Sequence, residues 1–218
     1  MAANAAIDAV IWDFGGVFTT SPFEAFNRLE AEKGLPADLI RRVNSTNPDG
    51  NAWALFERNE IDAAGFDQKF LEETTALGHP LRGAEVLPKL SGELRPRMVA
   101  ALQACKQHFK VGCITNNVVS EHSPGQAETQ RAAGAMSQVM PLFDAIIESS
   151  KAGVRKPDPR IYQMMCELLA VDPARCVYLD DLGINCKPAA GLGMKAIKVV
   201  DVDQTLAELS ALTGLTFE

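Results

Sequence analysis

The sequence predicts an α/β protein: a Rossmann-like parallel sheet flanked by helices, with a block of helices inserted after the first strand. Three observations carry that expectation. Short apolar runs at 9–12, 111–115, 143–148, 176–179 and 196–200 have the length and unbroken hydrophobicity of strands buried on both faces. From Arg95 onward they alternate with helical stretches, the order expected of a parallel sheet joined by crossover helices. Between the first run and Arg95 lies a segment, 20–90, with helical patterning and no strand pattern.

Each element follows from its own residues. Ala9–Trp12, with Ile7 beside it, stops abruptly at a carboxylate, Asp13, and Gly15 and Gly16 follow. Glycines there let the backbone turn and approach a ligand closely. Ligands of open α/β sheets bind at the carboxyl edge of the strands. Taken alone, an Asp at such a place is equally well explained as a turn cap. Next, Phe23, Phe26 and Leu29 fall at helical spacing, with Gly34 as the stop. A second helix is expected over Pro36–Asn44, with proline in its first turn. Ser45–Asn51 is turn chemistry, Ala52–Asn59 places Trp53 and Phe56 on adjacent faces, and Ala64–Ala76 reads as a helix. Pro80, Gly83 and Pro88 loosen the far end of this segment.

Met98, Leu102, Cys105 and Phe109 form one face of a helix, and Val111–Thr115 is the next strand. The Ser/Gly/Gln-rich stretch at 120–137 reads as loop plus helix. Phe143–Glu148 is a third strand, Ile161–Val171 a helix, Cys176–Leu179 a fourth strand, and Asn185–Leu192 a short helix in which Lys187-Pro188 marks the start. Ala196–Val200 is a fifth strand and Asp203–Thr213 the closing helix, with Gly214 at its C′ position.

Composition narrows the classes of function. The 218 residues, 47% hydrophobic and 22% charged, suit one large domain or a core with an insert. A net charge of −7 without a basic block argues against a nucleic-acid partner, whereas a site for an anionic metabolite needs only one or two cations. No apolar stretch approaches the roughly 20 residues that span a bilayer, and MAANAAIDAV lacks the features of a signal peptide. A cytoplasmic protein with no membrane partner is expected, as a monomer or homodimer. The five cysteines form no CxxC pair and read as reduced, buried thiols, and the three histidines form no metal-ligand pattern.

Four strand ends are chemically loaded: Asp13; Thr115-Asn116; the region of Lys151 and Lys156; and Asp180-Asp181. In a parallel sheet these ends share one edge, so the groups converge despite their distance in sequence. Such a set supports phosphoryl transfer by a carboxylate nucleophile, which divides one difficult step into two. Asp13 and a phosphate dianion repel each other. Hard oxygen ligands with open positions, from Asp13, Asp181 and the Gly15 carbonyl, suit Mg²⁺ and would offset that repulsion. Lys156 adds a compact positive charge, and Thr115 and Asn116 can donate to phosphate oxygens.

These motifs resemble the haloacid dehalogenase superfamily, and within it most closely the group containing the N-terminal phosphatase domain of soluble epoxide hydrolase. DFGGVFTTSP resembles the first motif, ITNN the second, KAGVRKPDPRIY the third and YLDDLGINCKPAAGLGMKAI the fourth. The resemblance implies Asp13 as nucleophile and Mg²⁺ ligand, the Gly15 backbone carbonyl and Asp181 as further ligands, and Asp180 acting through water or from behind. It implies Thr115 and Asn116 as phosphate-binding residues and Lys156 as the lysine that orders the charges. It also implies a core of 1–19 and 91–218, and a helical cap of 20–90 that selects a small phosphorylated metabolite.

One departure stands out. Phosphatases of this superfamily usually carry a second aspartate two residues after the nucleophile, as general acid and base; here that position is Gly15. Three readings follow: a leaving group that needs little protonation or is protonated from elsewhere, a slow enzyme, or a different chemistry. The alternatives to a phosphatase are a 2-haloacid dehalogenase-type hydrolase and a catalytically weak or idle binding protein. Trp53 and Phe56 are expected to pack the cap's own core, with Glu57 and Arg58 facing solvent; the other reading has all four lining the pocket. Lys151 is expected at the surface or behind the site, and Arg155 has no fixed direction.

Overall fold

Alternating side-chain direction along buried strands divides their residues between two cores, one on each face of a sheet. The computed structural model, which describes residues 6–90, 92–116 and 136–217, is built on this division. Its parallel sheet has the order β3-β2-β1-β4-β5, with β1 (Ala9–Trp12), β2 (Lys110–Thr115), β3 (Ala145–Glu148), β4 (Cys176–Asp180) and β5 (Lys195–Lys198). β1 is central and fully buried. Val10, Trp12, Val111, Cys113, Val177 and Leu179 face one apolar cluster, and Ala9, Ile11, Ile114 and Tyr178 face the other.

Helices cover both faces. In chain order they are α1 (Pro22–Glu32), α2 (Leu39–Ser45), α3 (Ala52–Glu57), α4 (Ala63–Ala76), α5 (Gly83–Val86), α6 (Pro96–Lys106), α7 (Ser149–Ala152), α8 (Pro159–Leu169), α9 (Gly183–Gly191) and α10 (Val202–Thr213). α6 and α10 supply Met98, Leu102, Leu206 and Leu209 to the first cluster. α8 supplies Ile161, Tyr162, Met165 and Leu169 to the second. α8 lies so close to β2 that a Cβ on Gly112 would stand 2.6 Å from Met165 Sδ.

The segment between β1 and α6 forms a third apolar cluster around Phe26, Trp53, Phe56, Phe66 and Phe70. Trp53 meets Phe66 edge-on with ring centroids 4.7 Å apart, and Phe66 stacks on Phe70 at 5.4 Å. The chain leaves and returns through a narrow neck. Thr20 N–H donates to Glu93 O (2.8 Å), and Arg95 N–H to Phe18 O (2.7 Å).

Several boundaries differ from the sequence reading for identifiable reasons. The helix expected from Pro36 begins at Leu39, because Asp38 is left-handed (φ 59°) and Glu30 of α1 accepts from the Asp38 and Ile40 N–H groups at 2.8 Å each. The far end of the inserted segment is helical rather than loosened: Gly83 opens α5 where a Cβ would stand 2.7 Å from the Phe66 ring, and Pro88 sits in a 3₁₀ turn, Leu87–Leu90. Pro188 lies inside α9 instead of near its start. Its missing N–H costs the helix a bond to the carbonyl of Ile184, a residue that is exposed. The stretch 120–137 lies outside the described residues as far as 135. Among the described residues no helix is long and apolar enough to cross a membrane, and all five cysteines are free, four of them buried.

Candidate active site

Strand register decides which side chains meet. Trp12 is level with Leu179 on β4 and with Cys113 on β2. The next residue, Asp13, therefore emerges beside Asp180, and its N–H donates to Leu179 O at 2.8 Å. Thr115 lies one step beyond on β2 and is buried. Oxygens of Asp13, Asp180 and Asp181 lie within 4.8 Å of one another, so residues more than a hundred positions apart share one pocket at the carboxyl edge.

Lys156 stands at the centre of this pocket, 1% exposed. Its Nζ lies 2.7 Å from Asp13 Oδ1 and 2.8 Å from Asp180 Oδ2. Burial alone would lower the lysine's pKa, but Asp13 and Asp180 outweigh it and hold the ammonium form above its usual range. Asp180 is fully engaged. It also accepts from Tyr178 OH (2.6 Å), Leu182 N–H (2.8 Å) and Asn185 Nδ2 (3.1 Å). Asp13 is pushed up to about 8, first by burial and then by Asp180 and Asp181, against the pull of Lys156. Asp181 is pushed up to about 6 by burial and Asp180, and its Oδ2 accepts from Ser21 Oγ at 3.3 Å.

The two glycines do different work. Gly16 has φ +71°, and a Cβ there would overlap the Asp181 carboxylate. Its carbonyl accepts from Arg95 Nη1 at 3.0 Å, which ties the loop to the neck. A Cβ on Gly15 would meet nothing within 4 Å. A Cβ therefore fits at the position where the phosphatases that the sequence resembles usually carry a second aspartate.

Asn116 closes the pocket on the β2 side. Its Oδ1 accepts from Lys156 N–H (2.9 Å), while its Nδ2 donates to Lys156 O (3.1 Å) and to Glu57 Oε2 (3.2 Å). Glu57, at the end of α3, does not face solvent as expected. It forms an ion pair with Arg155, Nε to Oε2 2.7 Å, and its carbonyl accepts from Ser149 Oγ at 2.6 Å. Burial raises the Glu57 carboxyl, with Arg155 and Lys156 opposing. Arg58 is largely covered too, pairing with Glu60 and donating from Nη2 to Asp49 O at 3.0 Å, and Trp53 and Phe56 are buried in the aromatic cluster. Lys151 is exposed and pairs with Glu148. The partners of Glu57 left no signal in the sequence, since they lie about sixty and a hundred residues away.

The donor set fits Mg²⁺. With all three ionised, the carboxylates facing one ammonium leave an excess of two negative charges that one divalent cation balances, and every donor is a hard oxygen. Asp13 and Asp181 are the carboxylates with capacity to spare, because Asp180 is saturated by its own partners.

The family model described as haloacid dehalogenase-like hydrolase matches residues 7–193. Bifunctional epoxide hydrolase 2 of Sus scrofa is 30% identical over 96% of this chain, which spans only 39% of that protein. Phosphatase MT3486 of Mycobacterium tuberculosis is 33% identical over 96% of this chain and 97% of its own length. A haloacid dehalogenase family enzyme from Bacteroides thetaiotaomicron, solved in complex with magnesium and inorganic phosphate, superposes with a TM-score of 0.60 at 16% identity, covering 91% of this chain and 98% of its own. At that identity the likeness establishes the fold.

Proposed function

The chain belongs to the haloacid dehalogenase-like hydrolases, and from that premise we propose that it is a Mg²⁺-dependent phosphatase acting on a small phosphorylated metabolite through an aspartyl-phosphate at Asp13. The observation that carries this reading is the meeting of Asp13, Asp180, Asp181 and buried Lys156 at one strand edge. We assign residues 1–19 and 91–218 to the catalytic core and 20–90 to a cap over it.

In this reading Asp13 Oδ attacks phosphorus, the bond from phosphorus to the leaving oxygen breaks, and that oxygen keeps the electron pair. Water then attacks the acyl-phosphate, which releases inorganic phosphate and restores the Asp13 carboxylate. Lys156 holds Asp13 in place and offsets charge on the phosphoryl oxygens. Thr115 supplies a hydroxyl donor to those oxygens. Asn116 shares the phosphate-binding edge, where its side chain fixes the backbone of Lys156. Asp13, Asp181 and the Gly15 carbonyl would hold Mg²⁺, with Asp180 behind them orienting Lys156. When bound, the ion supplies charge neutralisation between nucleophile and phosphate. Gly15 offers no proton, so the leaving oxygen takes its proton from solvent or from the substrate itself.

A dehalogenase would need no metal and would leave Asp181 without a task; an idle binding protein would have no use for a buried lysine aimed at Asp13. A phosphate-release screen over sugar, lipid, nucleotide and acyl phosphates, with and without Mg²⁺, tests the proposal. Release that requires Mg²⁺ supports it. No release from any class, or metal-independent halide release from 2-haloacids, overturns it.

A further inference from the structure

Three separate parts of the sheet layer converge on one residue of the helical block. Asn116 follows β2, Ser149 opens α7, and Arg155 lies in the loop before α8; all three contact Glu57. Arg155 reaches further, donating from Nη1 to Pro48 O at 3.0 Å. Glu57 is itself rigidly carried, because Trp53 and Phe56 of the same short helix are locked among Phe26, Phe66 and Phe70.

We infer that Glu57 is a positioning residue: it seats Asn116, and through Asn116 it fixes the backbone from which Lys156 reaches Asp13. An asparagine amide has two N–H donors and one carbonyl acceptor. Here the carbonyl and one donor take Lys156 N–H and Lys156 O, and the remaining donor goes to Glu57 Oε2. Glu57 therefore sets the orientation of a side chain whose other bonds all go to Lys156. Arg155, adjacent in sequence, is held by the same carboxylate, so the loop is gripped on both sides of its peptide. Glu57 occupies this place only while the helical block lies on the sheet layer. Seating of the block and placement of the lysine are thereby a single event. The catalytic consequence rests on the role proposed for Lys156; the structural one does not.

The test uses the full chain and two readouts, with Glu57→Ala, Glu57→Gln and, as a control, Glu60→Ala at an exposed neighbour. The first is amide hydrogen exchange of the segment containing Lys156, which needs no activity. Glu57→Ala is expected to speed exchange there at least about fivefold while α4 keeps its protection. Glu57→Gln, which retains an acceptor for Asn116, restores most of the protection, and Glu60→Ala changes nothing. Unchanged exchange at Lys156 in Glu57→Ala overturns the inference. So does a uniform rise across α1 to α4, which would mark a merely structural role. The second readout is Mg²⁺-dependent phosphate release, where Glu57→Ala should lower kcat about 10–100-fold with KM changed much less. A change confined to KM counts against the inference. Wild-type protein that releases no phosphate removes the phosphatase reading and leaves the exchange result to decide this one.

Discussion

Gly16 and Asp181 occupy the same small volume: the Asp181 carboxylate sits where a side chain at position 16 would have to begin, and the Gly16 backbone is left-handed at φ +71°. Contact and conformation independently require glycine there, whereas Gly15 next to it has neither constraint. Replacing each by alanine should therefore give opposite results. Gly16→Ala should lose on the order of 1–2 kcal/mol from the backbone alone, and should weaken Mg²⁺ binding as Asp181 is displaced. Gly15→Ala should stay within about 0.5 kcal/mol of wild type. Thermal unfolding with and without Mg²⁺ measures both, and equal losses at the two positions would contradict this account.

The open space at Gly15 makes a gain-of-function change feasible. General acid catalysis typically contributes about 10²–10⁴-fold, and most where the leaving group is poor. Gly15→Asp should raise turnover of alkyl phosphates more than that of aryl or acyl phosphates. A series of leaving groups of graded acidity checks this. A uniform change across the series would show that protonation of the leaving group does not limit the enzyme.

Asp13 at about 8 and Asp181 at about 6 both lie above the ordinary 3.8 of an aspartate. The folded state thus binds more protons than the unfolded chain across that interval, and the contribution of these groups to stability falls as pH rises through it. Mg²⁺ binds the ionised carboxylates and so relieves most where the penalty is greatest. The melting temperature without metal should fall between about pH 5.5 and about pH 8, and less steeply in Asp13→Asn. The increase on adding Mg²⁺ should be larger at the higher pH. A Mg²⁺ effect as large at the lower pH would refute the assignment of the metal to these carboxylates.

The sheet and its loaded edge could be read from the sequence because they depend on local signals. Ala9–Trp12 and Cys176–Leu179 are unbroken apolar runs, each ending in aspartate, and parallel pairing sends such ends to one side. The start of α2 could not be read: Pro36 signals a helix locally, but Glu30 on α1 supplies the acceptor that moves the start to Leu39. The helical run through Gly83 was hidden because glycine reads as a break, and its use here is to let α5 meet the Phe66 ring. Glu57 was hidden for a deeper reason. Nothing in a helix-terminal glutamate distinguishes a solvated charge from one held by Arg155 and Asn116; only the docking of the helical block decides between them. Asn116 is expected from the sequence to donate to phosphate, whereas its amide donates to Lys156 O and Glu57 Oε2, a commitment that depends on the path of the loop at 153–158.

Steady-state turnover by Asp13→Asn tests the central claim most directly, with circular dichroism to show that the fold is retained. The account predicts that Mg²⁺-dependent phosphate release falls by at least about 10³-fold, since the amide cannot attack phosphorus. Release within about tenfold of wild type would mean that a different group forms the bond to phosphorus.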